Sequence, residues 1–320
     1  MNLLTRMKRA VRPVVLALPD RLQRRKRLRD LAASRKALSP DGLAADLDRL
    51  PIREGAVVLV HSSLKALGYV EGGAGAVVEA LIGIVVERRG GTLLLPTFSI
   101  DGSMHRTLTS GRRFDQCATP SNLGAIPEAF RRHPKARRSL HPTHSLAAIG
   151  RDAARLVDGH HRCGSSFGEG SPMAELLAAN GYLLGLGTDL GRVTFYHCLE
   201  EIERDFPIDV FTPDGPISVT CRSTDGALHE LSIRAHDPNP AKRRIDRPEN
   251  EHLRRFFQAA FEQRAGLSWH RIGEARSWLI EAKPLYAELK RLMQAGITIY
   301  SSPSDLAATS EAGSKQQEPA

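Results

Sequence analysis

Apolar positions along the chain come in two kinds, short dense runs and longer spaced series, and each predicts a different element. Ala56-Val57-Val58-Leu59-Val60 is a continuous β-branched run after Gly55, the pattern of a strand buried on both faces. Thr92-Leu93-Leu94-Leu95, closed by Pro96, is a second such run, and 146–149 and 182–186 are a third and a fourth. Between the first two, residues 74–88 set Val77, Val78, Leu81, Ile84 and Val85 on one side at helical spacing, with Gly90-Gly91 behind them. Strand, loop, helix, strand is a βαβ-like unit and predicts an α/β sheet core.

The spaced series predict further helices. Over 37–50, Ser39 is the expected N-cap and Pro40 the first helical residue, and Leu43, Leu47 and Leu50 share a face. Others are expected at 125–132, from about Thr194 onward, at 249–264 and at 282–294. From 207 to 236 the pattern changes: Pro, Gly and Asp turns separate alternating segments, 217–221 and 228–233. This predicts a small β-rich insert, about 207–248, on the substrate side. The domain plan is therefore a basic arm at 1–36, one domain at 37–300 and a disordered tail at 301–320, with no internal repeat.

Composition changes this picture in one respect. The 320 residues carry a formal net charge of +9. Residues 1–36 hold twelve Lys/Arg and two Asp/Glu, leaving 33 basic and 34 acidic residues, a net of −1, for the rest. Basicity thus belongs to the arm. Its apolar stretch, Val14 to Leu18, is too short and Pro-bounded for a signal peptide, and no later run approaches the ~20 apolar residues of a membrane span. The arm reads as a solvated, partly helical extension or as a peripheral contact with an anionic membrane, nucleic acid or protein partner. Aromatic residues make up 5%, thin for base stacking, so no specific nucleic acid is expected. Four scattered cysteines without a C-x-x-C predict neither a disulfide framework nor a metal site, and a reducing, cytoplasmic setting.

Candidate chemistry lies in three stretches. In the first, Phe195, Leu199, Ile202 and Phe206 form a core face, while His197 and Glu200, three apart, share an adjoining one. A carboxylate beside an imidazole sets its tautomer and leaves the other nitrogen free to accept a proton. Thr194 is the expected N-cap, its hydroxyl available to a reacting oxygen or sulfur. Read plainly, the same pair is a surface His/Glu contact. Second, the loop from His61 to Gly75 offers backbone N–H groups between a strand and a helix, with Ser62, Ser63 and Lys65 adding side-chain donors. It suits a pyrophosphate, although Gly72-Gly73 matches neither a Rossmann fingerprint nor a Walker loop and a structural turn is the alternative. Third, His141 and His144 in Ser139–Ser145 either line a site or are pinned by turn hydrogen bonds. Ser121 precedes a helix-capping turn, and Trp269 and Trp278 read as packing residues.

These stretches, with their neighbours, resemble in order the motifs of the aminoglycoside 3-N-acetyltransferases. The resemblance runs through His61-Ser62-Ser63-Leu64-Lys65-Ala66-Leu67-Gly68-Tyr69-Val70-Glu71-Gly72-Gly73, then Gly91-Thr92-Leu93-Leu94-Leu95-Pro96-Thr97-Phe98-Ser99. It continues in Arg138-Ser139-Leu140-His141-Pro142-Thr143-His144-Ser145, Phe167-Gly168-Glu169-Gly170-Ser171-Pro172 and Leu183-Leu184-Gly185-Leu186-Gly187. It spans about 39–295. It implies an α/β/α sandwich of that family's own type, unlike the GCN5-related acetyltransferase fold, with acetyl-CoA as acyl donor and direct transfer to an amine. By resemblance His197 and Glu200 are the catalytic pair, with Thr194 beside them. Ser62, Ser63, Leu64, Lys65, Gly72, Gly73 and Ser121 fall on the cofactor side, His141 and Tyr196 on the substrate side.

Two departures bear on the acceptor. Phe195-Tyr196 replaces the family's usual small residue and leucine before the histidine. Arg234, Lys242, Arg243, Arg244 and Arg247 cluster where the insert ends, and facing the cleft they would repel a polycationic aminoglycoside. The expected acceptor is thus an aminoglycoside, an amino sugar or a related small amine, and a homodimer is among the expected states. The competing reading is a catalytically silent relative that binds or scaffolds through its arm. An acyl-CoA hydrolase, needing a presented nucleophile or activated water, ranks third.

Overall fold

The computed structural model describes residues 37–307. The arm at 1–36 and most of the expected tail, 308–320, lie outside the described residues. Ten strands are present among them: β1 (Val57–Ser62), β2 (Thr92–Pro96), β3 (Phe114–Asp115), β4 (Arg137–Arg138), β5 (Leu146–Gly150), β6 (Tyr182–Leu186), β7 (Phe211–Arg222), β8 (Leu228–His236), β9 (Ser268–Ile272) and β10 (Ala275–Glu281). The α-helices are α1 (Pro40–Asp48), α2 (Gly73–Leu81), α3 (Met104–Thr109), α4 (Ala125–Arg131), α5 (Ala153–Val157), α6 (Pro172–Ala178), α7 (Tyr196–Ile202), α8 (Glu251–Arg264) and α9 (Ala282–Gln294).

Seven strands form one mixed sheet in the order β4-β5-β2-β1-β6-β10-β9. The central trio β2-β1-β6 is parallel, and β5 and β10 flank it antiparallel. Strand periodicity divides the interior in two. Val57 and Leu59 of β1 point into a core closed by α6, α7, α8 and α9, whereas Val58 and Val60 point into a second core closed by α1, α2 and α4. Helices therefore cover both faces, an α/β/α sandwich, and each fully buried Val or Leu of the central strands contributes roughly 1.5–3 kcal/mol.

The expected α1 cap is present: the Ser39 hydroxyl accepts the Gly42 N–H at 3.1 Å, and Pro40 opens the helix. Helix α2 is shorter than its apolar series and continues as a π-helical segment over Ile82–Arg88. The insert is a long β7–β8 hairpin joined by β3 into a three-stranded sheet. With α3 it encloses its own small core of Phe114, Cys221, Ile233 and Ala235. The hairpin β9–β10 was not expected; its strands hold Trp269 and Trp278, which pair across the ladder. The chain also stays ordered past 300: Ser301 is buried and Leu306 packs on the main core. No helix among the described residues is long and apolar enough to cross a membrane.

Candidate active site

The chain leaves β1 for β2 on one side and returns to β6 on the other, so the strand order reverses at β1. In open α/β sheets that reversal leaves a crevice at the carboxyl ends of the strands. A cavity of about 350 Å³ lies there. One wall is His61, Ser62 and Ser63 at the end of β1 with Phe98 beyond β2; the other is Thr188 and residues 191–194 between β6 and α7, then Tyr196 and His197 of α7, with Arg244 and Asp246 behind the insert.

Helix α7 carries the expected pair. Nδ1 of His197 and Oε2 of Glu200 are 2.7 Å apart, with the Glu200 side chain 1% and the His197 side chain 10% exposed. Burial lowers the His197 pKa, with Glu200 opposing it, so the ring is neutral at pH 7 and its second nitrogen is free to accept a proton. Phe167 packs on the ring at 5.1 Å between centroids. Tyr300 lies beside Glu200; burial, then the Glu200 charge, raises its pKa, keeping the phenol protonated.

Thr194 does not cap α7. The residue before the helix is Phe195, with no side-chain cap bond, and the turn is built instead by Asp189, whose carboxylate accepts the Gly191 N–H at 2.8 Å. The Thr194 carbonyl accepts the His197 N–H, while its hydroxyl is buried without a partner among the described residues. The same is true of His61 Nε2, Ser62 Oγ and Thr188 Oγ1, whose side chains share this cavity. An unpaired buried polar atom costs about 1–3 kcal/mol, and four around one cavity fit a ligand with several polar groups, as an amide-bearing thioester is. Burial also lowers the His61 pKa to about 4, so this second imidazole is neutral.

The other expected residues divide. Tyr196 lines the cavity, but its phenol donates to the Leu190 carbonyl at 2.9 Å and its ring packs between Phe257 and Phe261. Leu64, Lys65, Gly72 and Gly73 follow β1 in sequence yet lie off the cavity wall; Gly72 and Gly73 have left-handed φ values of 77° and 59°, a turn into α2. Ser121 is a turn residue whose N–H donates to Glu128 at 2.8 Å and whose hydroxyl accepts the Leu123 N–H at 3.3 Å. His141 is fully buried, accepts the His144 N–H at 3.0 Å and stacks on His160 at 4.4 Å, away from the cavity. Gly164-Ser165-Ser166-Phe167-Gly168 has the spacing of a hydrolase elbow. Its Ser166 is fully buried against His144 and lies on no strand-to-helix turn, so it presents no nucleophile.

The sequence profile of the aminoglycoside 3-N-acetyltransferases matches residues 59–294. The chain belongs to that family. It is 37% identical to aminoglycoside N(3)-acetyltransferase III of Serratia marcescens over 175 residues, 51% of this chain and 64% of that protein. With aminoglycoside N(3)-acetyltransferase IX of Micromonospora chalcea it shares 30% over 256 residues, 75% of this chain and 88% of the relative. The solved structure of AAC-IIIb with CoASH superposes with a TM-score of 0.67 at 26% identity, covering 84% of this chain and all of that one. The match to the Serratia enzyme thus spans less than two thirds of its length.

Sequence reasoning on this aminoglycoside 3-N-acetyltransferase family member missed Glu201 and His236. Oε1 of Glu201 and Nε2 of His236 are 2.6 Å apart, and the His236 ring lies 5.1 Å from that of His197 between centroids. The Glu200-Glu201 doublet was a readable signal; nothing around His236 marked it. Of the basic cluster, Arg244 does reach the cavity, but its Nε and Nη2 donate to the Asp246 carboxylate, at 2.8 and 2.9 Å, so its charge is matched locally.

Proposed function

We propose that this protein transfers the acetyl group of acetyl-CoA directly to an amino group of a small acceptor, an aminoglycoside, amino sugar or related amine, with His197 as general base. The observation that carries the reading is the neutral, buried His197 held at 2.7 Å by Glu200 on the wall of a cavity edged by four unpaired polar atoms. Acetyl-CoA supplies an acyl group activated as a thioester. Glu200, accepting from Nδ1, fixes the ring so that Nε2 takes the proton the amine must lose, and its charge steadies the imidazolium that results. The Thr194 hydroxyl and the end of β1, Ser62 and Ser63, supply donors where negative charge develops.

Leu64, Lys65, Gly72 and Gly73 fit the cofactor side only as the outer reach of the β1 loop, beyond the enclosed cavity. Family membership and the structural likeness to a protein solved with CoASH support the donor; relatives named for aminoglycosides support the acceptor class. The test is thiol release from acetyl-CoA across a panel of aminoglycosides and amino sugars, with mass spectrometry of the product. His197→Ala is expected to cut turnover ~100-fold or more while leaving CoA binding and thermal melting nearly unchanged. Full activity in that variant would refute the assignment.

A further inference from the structure

Two consecutive glutamates of α7 each hold a different imidazole. Glu200 holds His197 of its own helix, whereas Glu201 reaches across to His236, the last residue of β8. Glu201 is a built-in fixture: its side chain is 1% exposed, and Oε2 also accepts the Phe167 N–H at 2.6 Å. The two rings meet edge to face, with centroids 5.1 Å apart and planes at 74°. Phe167 touches both, at 5.1 and 6.0 Å, and Phe211 of β7 closes the far side of His236 at 5.4 Å. The His197 ring is therefore bounded by Glu200, Phe167 and the His236 ring.

We propose that His236 is a positioning residue for acetyl transfer: anchored on Glu201, it holds the His197 ring in its Glu200-bound orientation and ties the insert hairpin to the catalytic helix. The inference rests on the acetyltransferase reading and extends it to a residue outside the catalytic pair. Its electrostatic consequence has a definite sign. Burial works against a charged His236, but the hydrogen bond and charge of Glu201 outweigh it and raise its pKa, which favours positive charge beside His197. The other charged or titratable groups acting on the two rings are Glu200, His144, Arg244 and Asp246, with Tyr300 against Glu200. A cation next to His197 favours its neutral, proton-accepting form.

His236→Gln removes the titratable ring while keeping a side chain of similar reach. Expected are a fall in kcat of about tenfold, an unchanged KM for acetyl-CoA, and an acidic limb of kcat/KM moved to higher pH by about half a unit or more. Glu201→Gln, nearly isosteric, is a second variant with the same expected direction, because His236 loses its counter-ion. A purely structural role would lower the melting temperature and leave the pH limb in place, which overturns the proposal. Absence of wild-type turnover with every acceptor would instead count against the acetyltransferase reading. The positioning remains testable without turnover, by NMR titration of the histidine rings in full-length wild type and His236→Gln: a His197 pKa that rises in the variant supports it, and one that stays put sinks it.

Discussion

Arg138 shows how much one buried side chain can organise. Its guanidinium donates to the carbonyls of Thr97, Thr119 and Gln116 at 2.8, 2.5 and 3.2 Å and to the Ser145 hydroxyl at 3.0 Å, and it lies 4.8 Å over the Phe114 ring. Burial lowers its pKa to about 9, which leaves it charged at neutral pH. One planar fork thus joins the end of β2, the 115–120 turn and the histidine-rich turn before β5. Arg138→Met strands those acceptors and is expected to cost about 3–5 kcal/mol in urea unfolding. Arg138→Lys, with one compact ammonium in place of the fork, should recover only a minor part. A loss under 1 kcal/mol for the Met variant would contradict this account.

At the scale of elements, Gly185 decides how β6 meets β10. It pairs with His61 on one side and Trp278 on the other, and an added Cβ would lie 2.0 Å from the indole Cε2. That indole is fully buried and donates to the Thr188 carbonyl at 2.8 Å, so it has nowhere to retreat. Gly185→Ala should therefore cost about 3 kcal/mol or more by overpacking, and Trp278→Phe in the same chain should return part of it, read as a coupling in a double-mutant cycle. Additive effects would contradict the packing argument. Elements with local signals were legible in the sequence: the Ser39-Pro40 cap, the Val57–Val60 run, and the turn-bounded halves of the β7–β8 hairpin. The β9–β10 hairpin was not, although Gly273, with φ of 56°, makes its tight turn, because Arg and Ser residues break both apolar segments and its tryptophans read as packing alone. The His197–Glu200 pair was legible because helical spacing of three joins its members. Glu201 and His236 are 35 residues apart, and only the hairpin's docking joins them. The missing Thr194 cap has the same origin: α7 starts one residue later than the Thr194 cap predicts, with Phe195 in the cap position.

Over the whole molecule, histidines bias stability toward neutral pH. Burial lowers the pKa of His61 and His160 to about 4, and it takes His141 and His144, which also repel neighbouring histidines, well below the ordinary value. In the unfolded chain these rings titrate near 6.5. Between that pH and about 4 the unfolded state therefore takes up protons that the folded state refuses, and each unit of lowering is worth about 1.4 kcal/mol. His236, shifted upward, acts in another window: its stabilisation is complete below about 6.5 and is lost as the pH rises through its raised pKa. The urea midpoint should thus fall steadily as the pH drops from about 6.5 toward 4.5. A midpoint unchanged across that interval would mean the buried histidines protonate in place. The seven-stranded sheet has a consequence of another kind, set by its two margins. One margin is β4, only two residues long, where exposed Arg137 is clasped to Asp158; the other is β9, where exposed Arg271 stands in the rim. A second copy approaching margin to margin would meet little free backbone on one flank and a guanidinium to dehydrate on either. Strand-by-strand growth into larger aggregates is thereby discouraged, and copies that do associate are steered toward their helical faces.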